Sequence, residues 1–353
     1  MGHEAVSFFP RIADEAPSGG TEVPIEWSAN PRPLIGLSPF VPREFRELLR
    51  LLSCWERRVG EEHEKKPFDV CLALWALPAG LVARRIGRRL GLPYATWSLG
   101  SDINKYGGSL PTRGLVRSVL KDAAAVFANS QALSARIEEL SGRRCDFLAT
   151  SRPLAPPPAD IRSLPGTTFL FIGRLEPVKG PDVLLEAAAR VKDGAWRIVI
   201  AGDGSMRPSL GERVEADARL RSRVSFAGHL TGEVFLRHIY GCDCLVVPSR
   251  SESMPVVLSE GLQAGKPFIV TDVGDLGSFV SRFGLGEVVL PDSPAALAAA
   301  MERFLDRPAR DFKVPEEALA LLDVRQSARR FSEVAARVVR EGVTTGPGEV
   351  DGR

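Results

Sequence analysis

The sequence predicts an α/β protein made of two Rossmann-like domains facing each other across a cleft. Three observations predict it: a length of 353 residues, a regular alternation of short apolar runs with helical spacing, and a proline-dense break near the middle. That length gives each of two domains enough chain to bury its own core. In the second half, the apolar runs 169–172, 197–201, 224–227, 244–247, 268–270 and 287–290 are too short for helices. Each is apolar at both alternating positions, as strands of a parallel sheet covered on both faces are. Segments of helical spacing lie between them. One spans 181–191, with Pro181 at a first helical position and Gly194 past the end; another, 294–305, is opened by Ser293.

The first half keeps the same rhythm. A strand is predicted at 5–9, a charged helix at 43–62, a strand at 68–74, a helix at 81–90, and strands at 94–98 and 124–128. Gly19-Gly20-Thr21-Glu22 reads as a plain turn, because no strand precedes it. "SRPLAPPPADIRSLPG", Ser151 to Gly166, is a semi-rigid linker. The expected domains are therefore 1–160 and 161–326, with a tail helix at 327–343 completing the first and a frayed end after it.

Composition narrows the function classes. A formal net charge of +2 gives no argument for nucleic acid as a partner. The N-terminus lacks the charged-then-apolar pattern of a secretory signal. The longest apolar run, 71–83, is too short to span a bilayer and is broken by Pro78 and Gly80. A reduced, cytoplasmic protein is expected, its five cysteines being odd in number and scattered. Cys242-Asp-Cys244 has no second ligand pair at metal-binding spacing, so these two read as small core residues and no metal site is predicted.

The chemistry concentrates in two loops. In "PSRSESMPVVLSEGLQAGKP", Pro248 to Pro267, a strand ends, the chain turns, and a helix begins near Pro255 with Ser253 as its cap. Its unpaired first-turn amides, at Met254 and beyond, favour an anion, and strand ends are where α/β sheets bind ligands. Glu252 stands just before the helix and Glu260 inside it. Carboxylates only accept hydrogen bonds, so two of them suit paired sugar hydroxyls. A ligand with phosphate in its middle and a sugar at each end uses all of these groups. The bland alternative is a solvated loop acid and a solvent-facing helix acid. The second loop, "GRLEPVKG", Gly173 to Gly180, carries Arg174 and Lys179 at the end of the domain's first strand, an arrangement fit to clamp a diphosphate.

"FIGRLEPVKGPDVLLEAAARV", "IAGDGSMRPSL", "VSFAGHL" and "VPSRSESMPVVLSEGLQAGKPFIVTDVGD" resemble, in the same order, the motifs of the family 4 retaining glycosyltransferases. The resemblance covers nearly all of the second domain. It implies the GT-B fold and metal-independent transfer of a sugar from a nucleotide-diphosphate-sugar donor, with no cofactor beyond that donor substrate. By position, Arg174 and Lys179 hold the diphosphate, and Gly173 lets its backbone come close. Glu260 binds the ribose, Glu252 the transferred sugar, and Ser253, Met254 and Pro255 meet sugar and phosphate through the backbone. Gly202, Gly204, His229 and Leu230 line the nucleotide pocket. The implied acceptor is a glycan, a lipid-linked sugar or a small molecule, reached at the inner membrane face or in the cytoplasm.

The first domain departs from the family pattern. "WALPAGLVARRIGRRLGLPYATWSLGSDI", Trp75 to Ile103, has Leu99 where the family has a histidine, before Gly100-Ser101-Asp102. Asp102 is the remaining polar candidate there for a catalytic role. Gly2-His3-Glu4 resembles the opening of the family's second strand, so the first strand is expected to be missing, through a late start or a truncation. These departures favour a competing reading, a non-catalytic relative that binds a nucleotide sugar; intact Arg174, Lys179, Glu252 and Glu260 oppose it. An epimerase shares the architecture, but "GRLEPVKG" suits a transferase better. Arg84, Arg85, Arg88 and Arg89, with Arg113, Arg117 and Lys121, are candidates for a peripheral membrane contact. Interleaved acids make a solvated helix face the favoured reading.

Overall fold

The computed structural model describes residues 3–10, 21–25, 41–161, 166–307 and 312–341. The chain divides into two compact units. One comprises Met1–Phe127, Arg136–Asp146 and Ser332–Arg353, the other Ala128–Ala135 and Phe147–Phe331.

In the first unit, β1 (Val6–Pro10) pairs in parallel with β2 (Thr21–Ile25). Thr21 and Glu22 are thus strand residues rather than the expected turn. Val23 and Ile25 bury their side chains, and parallel pairing with β1 satisfies the backbone, which outweighs the turn-like composition upstream. Helix α1 (Pro42–Lys65) buries Leu51, Leu52, Trp55 and Val59 along one stripe. A separate four-stranded sheet has the order β3 (Cys71–Leu74), β4 (Tyr94–Ser98), β5 (Ala125–Ala128), β6 (Asp146–Phe147). β3 starts later than the predicted 68, since pairing with β4 begins at Cys71 opposite Tyr94. Helices α2 (Ala79–Leu90), α3 (Leu110–Asp122) and α4 (Gln131–Ser141) alternate with these strands. On α2, Arg84 and Arg88 both pair with Asp122, and Arg85 pairs with Glu56. Three of the cations suggested for a membrane surface are therefore matched by acids within the unit.

The second unit is built on six strands: β7 (Thr167–Ile172), β8 (Trp196–Ala201), β9 (Val224–Gly228), β10 (Cys244–Val247), β11 (Phe268–Thr271) and β12 (Gly286–Val289). They pair in parallel in the order β12-β11-β10-β7-β8-β9. Their unbroken apolar character has a direct cause in the pleat, which sends successive side chains to opposite faces. Phe169, Phe171, Ile198, Ile200, Val246 and Ile269 enter one core, under α5 (Pro181–Ala188), α6 (Arg207–Ala216), α7 (Ala218–Arg221) and α11 (Pro294–Asp306). Leu170, Val199, Leu245, Val247, Phe268 and Val270 enter the other. That second core lies under α8 (Gly232–Gly241), α9 (Val256–Gln263), α10 (Leu276–Arg282) and α12 (Glu316–Leu321). Cys242 and Cys244 are buried among these residues, and burial pushes the Cys242 thiol up to about 12. Both are inert packing residues.

The connecting segment carries no regular structure over 151–158, and the rest of the predicted linker, 162–165, lies outside the described residues. The final helix, α13 (Val324–Glu341), starts three residues before the predicted tail helix. The predicted end of that helix at 342–343 lies outside the described residues. Among the described residues, no helix is long and apolar enough to cross a membrane.

Candidate functional site

The order of the six-stranded sheet creates the site. From β7 the chain steps outward to β8 and β9, then returns to the other side of β7 as β10. The loops leaving β7 and β10 diverge, and the crevice between them at the strand ends is where open α/β sheets bind ligands. The β7 loop carries Gly173, Arg174 and Lys179; the β10 loop carries Glu252, Ser253, Met254 and Pro255. Across this switch point Lys179 Nζ forms an ion pair with Glu252 Oε1 at 2.5 Å, and Glu252 also accepts the Ser249 hydroxyl at 2.8 Å. The two side chains are only 22% and 9% exposed, so the pair is a specific contact and not a solvated encounter. Arg174 is exposed, and its side chain forms no ion pair or hydrogen bond among the described residues, although its charge helps hold the Glu176 carboxyl below its ordinary range.

The neighbouring loops close on this one through their backbones. Gly173 donates to Ala201 O at 3.0 Å, Leu175 to Asp203 O at 2.8 Å, and Gly202 to Gly228 O at 2.7 Å. Gly202 has φ +133°, and a Cβ there would lie 1.9 Å from Gly173 O, so only glycine allows the two loops to meet. Glu176 accepts the Ser205 amide at 3.0 Å and its hydroxyl at 2.6 Å, fixing the loop that holds Gly204; these bonds hold the Glu176 carboxyl below its ordinary range. His229 is exposed beyond β9, and Leu230 packs on the second core.

At α9 the expected start shifts. Pro255 is the N-cap, the helix begins at Val256, and no side chain caps it, so Ser253 does not fill the capping role. Proline fixes the φ of the cap position, and in the first turn the Leu258 amide donates to Pro255 O at 3.0 Å. Met254 is 5% exposed and belongs to the second core, which leaves only its backbone for a ligand.

Glu260, one turn into α9, is buried and forms an ion pair with Arg152 of the connecting segment. Arg152 also lies over the Phe235 ring at 4.8 Å. Nothing local in the sequence announces this pairing across more than a hundred positions. Burial raises the Glu260 carboxyl above its ordinary value, and Arg152 works against that rise. In Arg152→Gln, ionising Glu260 becomes costlier still. The variant is expected to lose about 1 kcal/mol of stability. The deficit grows as pH rises through the raised value and disappears in acid, where Glu260 is neutral in both proteins; urea denaturation across pH measures it. Beside α9, a cavity of about 270 Å³ is lined by Arg152, Ser259, Leu262, Gln263, Leu322 and Arg325. None of the expected donor-site residues lines it.

In the first unit, Asp102 is 1% exposed. Its carboxylate accepts the amides of Ala76 at 2.8 Å, Gly100 at 3.2 Å and Leu99 at 3.3 Å. In this position Asp102 holds the loops after β3 and β4 together. Next to it Trp75 is 42% exposed, with φ +70°, a left-handed backbone that a bulky residue adopts only under constraint.

Residues 166–307 match the family model for glycosyl transferases group 1. The alpha-D-kanosaminyltransferase of Streptomyces kanamyceticus is 31% identical over 174 residues, 49% of this chain and 45% of that protein. The D-inositol 3-phosphate glycosyltransferase of Frankia alni is 28% identical over 281 residues, 71% of this chain and 69% of that one. For several of the curated relatives that it matches, the chain spans between about a third and a half of their length. Among solved structures, sucrose-phosphate synthase from Thermosynechococcus elongatus superposes with a TM-score of 0.79 at 20% identity, covering 96% of this chain and 90% of that one. HepE of Anabaena, in complex with UDP-glucose, superposes at 0.69 and 19% identity, covering 82% of this chain and 84% of that one. The family match lies within the second unit, and the two-unit parallel α/β fold is shared with sucrose-phosphate synthase and HepE.

Proposed function

We propose that the protein is a family 4-type retaining glycosyltransferase. It moves a sugar from a nucleotide-diphosphate-sugar donor to a glycan, a lipid-linked sugar or a small molecule. The observation that carries this reading is the Lys179–Glu252 pair at the switch point, beside the exposed Arg174 and the start of α9, which no side chain caps. Donor cleavage leaves negative charge on the diphosphate, and fixed positive charge there lowers the barrier. Lys179 has three donors, enough to keep Glu252 and take a phosphate oxygen as well. Arg174 offers its planar fork to the same group. Because these two side chains meet the leaving charge, the transfer is read as metal-independent. Glu252 accepts hydroxyls of the transferred sugar, and Glu260 accepts the ribose hydroxyls beside Arg152. Gly202, Gly204, His229 and Leu230 border the nucleotide, and the backbone of Ser253, Met254 and Pro255 meets sugar and phosphate. Leu99 adds no hydrogen bond at the position of the family's histidine, so donor orientation rests on the second unit's loops.

HepE, whose structures hold UDP and UDP-glucose, makes UDP-glucose the first donor to try. The test measures binding and hydrolysis of a nucleotide-sugar panel by the wild type, Arg174→Ala and Glu260→Ala. One donor is expected to bind and release its nucleotide, with binding weakened at least about tenfold in each variant. Binding of no donor by the folded wild type, or undiminished binding in both variants, sinks the reading.

A further inference from the structure

We propose that Arg250 is a positioning residue, one that sets the spacing of Lys179 and Glu252 by stapling the two crevice loops to each other. The proposal rests on the donor-clamp reading for its consequence in catalysis, and on geometry alone for the staple. Arg250 lies in the β10 loop, two residues before Glu252. Its amide donates to Val178 O at 2.8 Å. Its Nη1 donates to Pro177 O and to Asp182 Oδ1 at 2.9 Å, its Nη2 to Asp182 Oδ2 at 2.8 Å, and its Nε to Asp292 Oδ1 at 2.5 Å. One guanidinium thus reaches the 3₁₀ turn Pro177–Lys179, the first turn of α5 and the loop after β12.

The turn it grips ends in Lys179, and the loop it belongs to presents Glu252. Fixing one to the other fixes the ion pair. Two further observations point the same way. Gly180 brings the backbone after the turn so close to Pro248 that a Cβ there would lie 2.1 Å from Pro248 O. Asp292, the third loop's contribution, holds φ +54°, a left-handed conformation that an aspartate tolerates better than most residues. A lysine at position 250 cannot replace the staple, because an ammonium lacks the planar fork that spans both Asp182 oxygens while reaching Pro177. Partly exposed ion pairs of this kind add little to global stability, so the main consequence falls on the neighbouring pair.

The experiment uses the full-length protein without ligand. Acylation of lysines by an N-hydroxysuccinimide ester is followed residue by residue by mass spectrometry. In Arg250→Gln and in the milder Asp182→Asn, Lys179 is expected to react about fivefold faster than in the wild type, as freed amines do. Lys192 and Lys266, remote from the staple, serve as unchanged references. Equal Lys179 reactivity in the wild type and both folded variants overturns the proposal. So does a general rise at all lysines, which would report loosened folding. The second arm is hydrolysis of UDP-glucose, or of whichever donor the panel identifies. Arg250→Gln is expected to lower kcat about thirtyfold, and Arg250→Lys about as much. In a Lys179→Gln background the same change is expected to cost less than about threefold, because the group being positioned is gone. A full thirtyfold loss in that background overturns the proposal. If no donor binds at all, the functional reading fails while the labelling arm still decides the staple.

Discussion

Lys179→Gln is expected to slow donor cleavage by about a hundred- to a thousandfold, the cost of removing a fixed donor from a developing oxyanion, about 3–4 kcal/mol. Its amide keeps much of the length and loses the charge. On the proposed reading the leaving diphosphate then departs without this cation, and kcat and kcat/KM should fall together, since such a contact strengthens in the transition state. The substitution has a second effect that must be separated from the first. The Glu252 side chain is 9% exposed, and losing Lys179 leaves its carboxylate, among the described residues, with the Ser249 hydroxyl. An unpaired buried carboxylate costs about 1–3 kcal/mol of stability. The double variant Lys179→Gln/Glu252→Gln removes that charge and should regain most of the stability while regaining none of the rate. Steady-state kinetics and urea denaturation on the three proteins check both halves. A Lys179→Gln enzyme within about tenfold of wild-type turnover would remove the lysine from the clamp.

The second unit was legible in the sequence to within a few residues at nearly every strand, and the reason is physical. A parallel sheet covered on both faces makes its strands apolar at every position, so Cys244–Val247 stands out from the amphipathic helices on either side of it. The loops were legible because their glycines and charges sit at fixed offsets from those strands: Gly173, Arg174 and Lys179 follow β7, and Glu252 follows β10. What could not be read was everything carried by distant pairs. Arg152 meeting Glu260, and Arg250 meeting Asp182 and Asp292, join segments far apart in the chain and leave no periodicity. Ser293 caps α11 as expected, whereas the cap expected at Ser253 failed for a smaller reason. Ser253 has the right chemistry for a cap, but Pro255 fixes the entry to α9 two residues later. In the first unit, the strand at Thr21–Ile25 was hidden because the composition just before it matches a turn, and only pairing with β1 makes it a strand.

Asp102, singled out for chemistry, also matters through the fold. Asp102→Ala removes one acceptor group and leaves three amides, those of Ala76, Leu99 and Gly100, without it. Buried donors left unpaired cost about 1–3 kcal/mol each, so a loss of at least about 3 kcal/mol from the first unit is expected, even if water recovers some of them. Trp75, adjacent to Ala76 and held in a left-handed backbone, should relax when Asp102 lets go, and the fluorescence of this half-exposed indole gives a local readout. Asp102→Asn separates charge from shape. It keeps one oxygen for the Leu99 and Gly100 amides but turns an amide group against Ala76 N–H, so an intermediate loss is expected. The pH dependence then tests the burial directly. Burial raises the Asp102 carboxyl above its ordinary value, with the backbone amides opposing the rise. The folded protein therefore holds this proton more tightly than the unfolded chain does. The stability Asp102 contributes declines as pH climbs from the ordinary carboxylate value through the raised one, and is level above it. Subtracting the stability of Asp102→Asn from that of the wild type at each pH isolates this curve, since the other titrating groups are common to both. A difference that rises with pH in that window would mean that the three amides, and not burial, govern the carboxylate.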